Sequence, residues 1–196
     1  VLDLADGHVT DVFALKTDTA LEVVDRLRRA LPGVVFAVER ARPGGRLSPT
    51  GGAGYAALDA SLADATEFAI AEGYTPRWPI PPGTLIAPID ELVETGDVVK
   101  LLVRPPDDHG FDADTFLSAG AEAVAGLAEV THSNPADRLL EIAAPGVSKA
   151  TTLAFVAARD GIDHTGVITA GDAPNDLPML EWAQTSYAVA NAHPLV

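Results

Sequence analysis

The chain has 196 residues, 13 basic against 28 acidic side chains and a net charge of −15. That length suits one large domain or two small ones, and 47% apolar with 21% charged residues is the balance of a globular chain. The acidity argues against a nucleic-acid partner and no apolar run is long enough to span a membrane, while the lack of cysteine excludes disulfides, thiolate metal sites and a cysteine nucleophile. A reducing cytosol fits this usage, and the N-terminus has neither the basic flank nor the apolar stretch of a signal peptide. The chain begins at Val1 in what reads as the middle of a strand, and its only methionine is Met179.

In chain order, residues 1–4 and 9–16 read as two strands joined by the turn at Ala5-Asp6-Gly7. Thr17-Asp18 can cap a helix whose Leu21, Val24, Leu27 and Leu31 share one face, and Pro32-Gly33 ends it. Residues 34–40 form a Val- and Phe-rich strand, 41–54 a Gly/Pro/Ser loop, and 55–65 a helix of irregular spacing. Prolines exclude a regular element over 72–88. Residues 97–103 form a strand, 112–128 a helix, and 129–132 and 138–143 two more strands. To this point the grammar is α+β.

After residue 143 the order becomes helix 148–160, strand 165–170, helix 176–184 and strand 186–190. Such alternation predicts a parallel sheet with crossover helices, and a domain boundary near residue 143. Asp172 follows the apolar strand after one glycine, in GDAPND, and in open parallel sheets functional groups lie just beyond the carboxyl ends of strands. A carboxylate on a short stiff loop suits a hard cation such as Mg²⁺. Asn175 or Asp176 can cap the next helix, and turn and cap hydrogen bonding by Asp172, Asn175 and Asp176 accounts for these residue types equally well. Lys149 follows Ser148, a helix cap. An ammonium beside free helix N–H groups can cradle a phosphate, although a solvated surface lysine has the same appearance. A helix of about 12 residues is about 18 Å long. A returning strand of about six residues covers about 20 Å. Lys149 and Asp172 are therefore expected at one edge of the sheet.

The segments APGVSKATTLAFVAARDGI, VITAGDAPNDLPMLEWA and YAVANAHPLV together resemble the haloacid dehalogenase (HAD) superfamily, specifically its Cof-type, class IIB phosphatases. Lys149 matches the third motif of that family, and Gly171-Asp172 with Asn175-Asp176 matches the fourth, GDxxND. The resemblance implies an α/β fold: a HAD-like Rossmannoid core with a parallel sheet, partial here over 144–196, and an α+β class IIB cap over 1–143. It further implies a phosphomonoesterase acting on a small phosphorylated metabolite, a sugar phosphate foremost, with Mg²⁺ as cofactor. Asp172 would be the metal ligand and Asp176 a support of the acidic cluster. Lys149 and Asn175 would contact the substrate phosphate or phosphoaspartate. The DxDGT-like first motif, which supplies the nucleophile, and the Ser/Thr second motif have no match. Asp3-Leu4-Ala5-Asp6-Gly7 is one residue too long. The expectation is thus a cap joined to the C-terminal part of a core, inactive by itself, with Val167 and Ile168 poorly covered. A non-catalytic phosphate-binding or scaffold module, or a phosphomutase, are the rival readings.

Other polar groups carry less. Arg77-Trp78 could grip a substrate from the cap or simply pack a proline-rich loop. Asp107-Asp108-His109 reads as a polar turn, and Gly51-Gly52-Ala53-Gly54 lacks the strand-turn-helix context of a dinucleotide site. His132 and His193 have no paired ligand at metal spacing, and His164 has no evident partner.

Overall fold

The computed structural model describes residues 1, 8–41, 66–77, 79–80, 82–106, 110–132 and 137–196. The expectations for 2–7, 42–65, Trp78 and 107–109 lie outside these residues.

The helix α1 (Thr17–Ala30) opens the regular structure. Its Ala20, Val23, Val24 and Leu27 are fully buried, following the helical spacing of the apolar residues. Each buried Val or Leu contributes about 1.5–3 kcal/mol relative to an exposed one. Lys16, not Thr17 or Asp18, holds the N-cap position, with no side-chain cap. Of the strand expected over 9–16, Leu15 forms an antiparallel bridge with Val98, and its start pairs with Val1, Thr10 N donating to Val1 O at 2.9 Å and the Val1 ammonium to Asp11 O at 2.6 Å. The side chains before Leu15 also reach a later helix: Phe13 meets Phe155 edge-on, with ring centroids 5.3 Å apart, and Asp11 pairs with Arg159 at 3.2 Å.

Five more strands follow in the same sheet as β1 (Val35–Ala41): β2 (Thr66–Ile70), β3 (Leu85–Ile86), β4 (Val98–Arg104), β5 (Glu129–Thr131) and β6 (Leu140–Ala143). The spatial order is β3-β2-β1-β4-β6-β5, antiparallel throughout except for β2 with β3. Period-two alternation divides the sheet into two faces. Phe36, Val38, Leu101, Val103, Leu140 and Ile142 pack with α1, with α2 (Ile89–Glu94) and with α3 (Ala113–Ala123) into the main core. Gly120 on α3 permits this contact, because a Cβ there would collide with the Leu140 side chain. The other face carries Glu39, Lys100, Leu102, Glu129 and Glu141 and has only a small apolar cluster, centred on Ala37, Ile70, Tyr74 and Leu102.

The remaining residues alternate as the sequence suggests. The helix α4 (Lys149–Arg159) is followed by a 3₁₀ turn, then β7 (Ile168–Gly171), a second 3₁₀ turn (Pro174–Asp176), α5 (Leu177–Trp182) and β8 (Thr185–Ala188). β7 and β8 are parallel, with Ile168 opposite Thr185 and Gly171 opposite Ala188. The structure is thus mixed α/β, an antiparallel-dominated sheet with helices on one face joined to a parallel pair with crossover helices. Parallel sheets are normally covered on both faces. Here Ile168 is 70% exposed, as expected, whereas Val167 is partly buried; Tyr187 on the neighbouring strand is 58% exposed.

Two differences reflect short elements. Residues 72–88 contain the two-residue strand β3 despite their prolines, because Leu85 and Ile86 pair with Ala69 and Ile70. The helix α2 is under two turns, too short to show a helical period.

Candidate active site

The site begins with the cap of α4. Ser148 Oγ accepts from Thr151 N at 3.2 Å, and Thr151 Oγ1 accepts from Ser148 N at 2.8 Å, a reciprocal capping box. This fixes the first turn, from which Lys149 reaches across to Asp176 on the β7–α5 loop and donates to its Oδ1.

Asp176 is buried and its second oxygen is also used. Oδ2 accepts from the backbone N–H of Asp172 at 3.0 Å and of Ala173 at 3.2 Å. Burial pushes this carboxyl up, but the Lys149 ammonium and the two backbone donors outweigh it, so the group lies below the usual carboxylate range. Asp176 does stand at the N-cap position of α5, yet its side chain makes no forward cap. It turns back to hold the loop. Gly171 makes this possible, since a Cβ on it would come within 2.5 Å of the Asp176 Cβ.

The brace leaves Asp172 at the end of β7 with its side chain exposed. Its carbonyl accepts from His193 N at 2.8 Å, and Val189 N donates to Gly171 O at 3.2 Å, so the VANA segment is laid along the same strand end. Asn175 lines a cavity of about 560 Å³ together with Lys149. Its Oδ1 is buried with no hydrogen-bond partner. An unpaired buried acceptor costs about 1–3 kcal/mol, and a cation or a ligand hydroxyl would relieve that cost. The four predicted residues therefore converge: Lys149 and Asp176 in contact, Asp172 and Asn175 on the loop that Asp176 holds.

An exposed carboxylate and an orphaned amide oxygen on one stiff loop are the hard oxygen donors that Mg²⁺ takes, and Mg²⁺ commonly keeps several waters. Among the described residues no cluster of three or more His, Cys, Asp or Glu side chains could hold a metal. The donor set fits Mg²⁺ in kind and supplies part of a coordination shell.

The other candidates fall elsewhere. Arg77 and Arg104 share Asp137, with Arg104 bidentate at 2.6 and 2.8 Å and Arg77 at 3.5 Å, so Arg77 belongs to a structural ion cluster. His132 is buried with Nε2 3.8 Å from Asp114. His164, expected to be without a partner, lies 3.3 Å from Asp163 and faces Trp182. What sequence reasoning missed is the cavity wall on the sheet side, where Lys100, Glu129, Thr131 and Glu141 face Lys149. Its only signal was a charged residue, Lys100, Glu129 or Glu141, within each of three otherwise largely apolar predicted strands.

A family profile described as haloacid dehalogenase-like hydrolase matches residues 94–196. The chain belongs to that family. Over 51 residues it is 41% identical to a phosphoglycolate phosphatase of Methanothrix thermoacetophila, a match covering 26% of this chain and 23% of the relative. Among solved structures it resembles a HAD/COF-like hydrolase from Plasmodium vivax (TM-score 0.60, 16% identity, 92% of this chain and 55% of that one). A HAD subclass IIB sugar phosphatase aligns with TM-score 0.56 and 12% identity over 92% of this chain and 57% of that one. A haloacid dehalogenase-like hydrolase from Bacteroides thetaiotaomicron aligns with TM-score 0.50 and 19% identity over 93% and 59%. At these identities the structural likeness shows the fold. The chain spans less than two thirds of the length of each of these relatives. No described helix is long and apolar enough to cross a membrane.

Proposed function

We propose that this chain is part of an Mg²⁺-dependent phosphomonoesterase for a small phosphorylated metabolite, a sugar phosphate foremost, with residues 1–143 as its cap and 144–196 as part of its core. The observation that carries this reading is the Lys149–Asp176–Asp172 connection, in which an ammonium, a bracing carboxylate and an exposed carboxylate are held together at the end of a parallel strand. Phosphoryl transfer needs positioning and charge stabilisation more than covalent help from the protein. Lys149 presents a cation to the equatorial oxygens, and the Asn175 amide can donate to the same group. Asp176 does not react; it fixes both Lys149 and the loop. Mg²⁺, held by Asp172, would neutralise phosphate charge, an evident need in a chain of net charge −15. No DxDGT-like segment occurs in the 196 residues, and we place the attacking aspartate outside them. The exposed face that carries Ile168 and Tyr187 is where helices of the rest of such a core would pack.

The test is release of inorganic phosphate from p-nitrophenyl phosphate by the full-length protein. The reading expects turnover that requires Mg²⁺ and falls about 100-fold or more in Asp172→Asn. Turnover that is indifferent to Mg²⁺ and to this substitution would contradict it.

A further inference from the structure

The cavity that holds Lys149 and Asn175 has a second wall, built by the face of the six-stranded sheet that α1, α2 and α3 leave uncovered. Lys100 of β4 and Glu141 of β6 meet there, Nζ donating to Oε2 at 2.8 Å. Glu39 of β1 stands directly opposite Lys100 in the sheet register. Burial pushes the Glu39 carboxyl up, with Lys100 pulling against it. Burial likewise works against the Lys100 ammonium, but Glu39 and Glu141 outweigh it and hold the group charged. Glu129 completes the wall, its Oε1 accepting from Gly146 N at 3.0 Å. Lys100 is thus held between Glu39 and Glu141, with Glu129 on the same face of the sheet.

We infer that the Lys100–Glu141 pair, backed by Glu39, recognises the leaving group in this site and selects a neutral, hydroxyl-bearing one over one that bears a carboxylate. The inference rests on the phosphomonoesterase reading above. A hydroxyl both donates and accepts, so it can give a hydrogen bond to Glu141 and take one from Lys100 without adding charge. A carboxylate only accepts. It would find Lys100 already committed to two carboxylates and Lys149 to Asp176 and the phosphate, and would itself lie against Glu141 and Glu129, a like-charge contact that acts as rejection. In this respect the chain would differ from its relative named as a phosphoglycolate phosphatase, because phosphoglycolate carries a carboxylate.

The experiment compares kcat/KM for a hexose 6-phosphate, phosphoglycolate and p-nitrophenyl phosphate in the full-length wild type, Lys100→Met and Glu141→Gln. The wild type is expected to prefer the hexose phosphate to phosphoglycolate by about tenfold or more. Glu141→Gln should raise the relative rate on phosphoglycolate about tenfold. Lys100→Met should lower hexose phosphate turnover several times more than p-nitrophenyl phosphate turnover. Preference of the wild type for phosphoglycolate, or ratios unmoved in both variants while p-nitrophenyl phosphate is still hydrolysed, overturns this inference alone. Failure of the wild type to hydrolyse any of the three overturns the phosphatase reading and this inference with it.

Discussion

Gly171 and Asp176 approach so closely that any side chain at position 171 would displace the carboxylate: a Cβ there would lie 2.5 Å from the Asp176 Cβ and 2.8 Å from Oδ2. The requirement is steric, since Gly171 is not among the glycines with positive φ. Gly171→Ala therefore pushes Asp176 off the backbone N–H groups of Asp172 and Ala173. Overpacking of this kind costs about 1–3 kcal/mol. The expected result is a lowered Tm together with a loss of activity comparable to that of Asp176→Ala; a variant with unchanged Tm and turnover would show that the brace is dispensable.

Acid sensitivity follows from Asp176. Its folded carboxyl lies below the unfolded value of about 3.9, so its contribution to stability is complete above that value and disappears as pH falls through the lower folded value. Asp137, held down first by the Arg104 hydrogen bonds, acts with the same sign. Thermal melts of wild type and Asp176→Asn from pH 7 to pH 2 should differ at neutral pH and converge only as pH falls below the usual carboxylate range and through the lowered folded value. Parallel curves across the range would remove Asp176 from the account.

A structural ion cluster at the far end of β4 gives a third expectation. Arg104 is buried, and Asp137 takes both of its terminal nitrogens. Removing one partner of a buried pair leaves the other charge uncompensated, at about 3–5 kcal/mol. Asp137→Ala should lower Tm by roughly 6–12 °C in a chain of this size if about 3 kcal/mol is lost. Arg77→Ala, at the exposed end of the same cluster, should change Tm by no more than about 2 °C.

How far residues alone could reveal this arrangement depended on the range of the interactions. Ser148 as a cap, the Lys149 helix, the strand before Asp172 and their return to one edge all follow from local spacing and element length. The direction of the Asp176 side chain does not, because whether it caps α5 or turns back is decided by Gly171 and Lys149, neither of them adjacent in sequence. Residues 9–16 show the same limit. Their apolar pattern suits a strand, and Thr10 and Asp11 do pair with Val1, but Phe13 packs on Phe155, and among the described residues Leu15 makes the bridge to the six-stranded sheet. The wall formed by Lys100, Glu129 and Glu141 depends on β6 inserting between β4 and β5, and that strand order and pairing register had to bring the three side chains to one face.

The central claim is that Lys149, Asp172 and Asn175 form an Mg²⁺-assisted phosphate site. Calorimetric titration of the full-length protein with orthophosphate, with and without Mg²⁺, addresses this without depending on turnover. Binding should require Mg²⁺ and weaken about tenfold or more in Lys149→Met, as expected for loss of one charge-assisted contact. Equal affinity in wild type and Lys149→Met, or binding indifferent to Mg²⁺, would contradict the account.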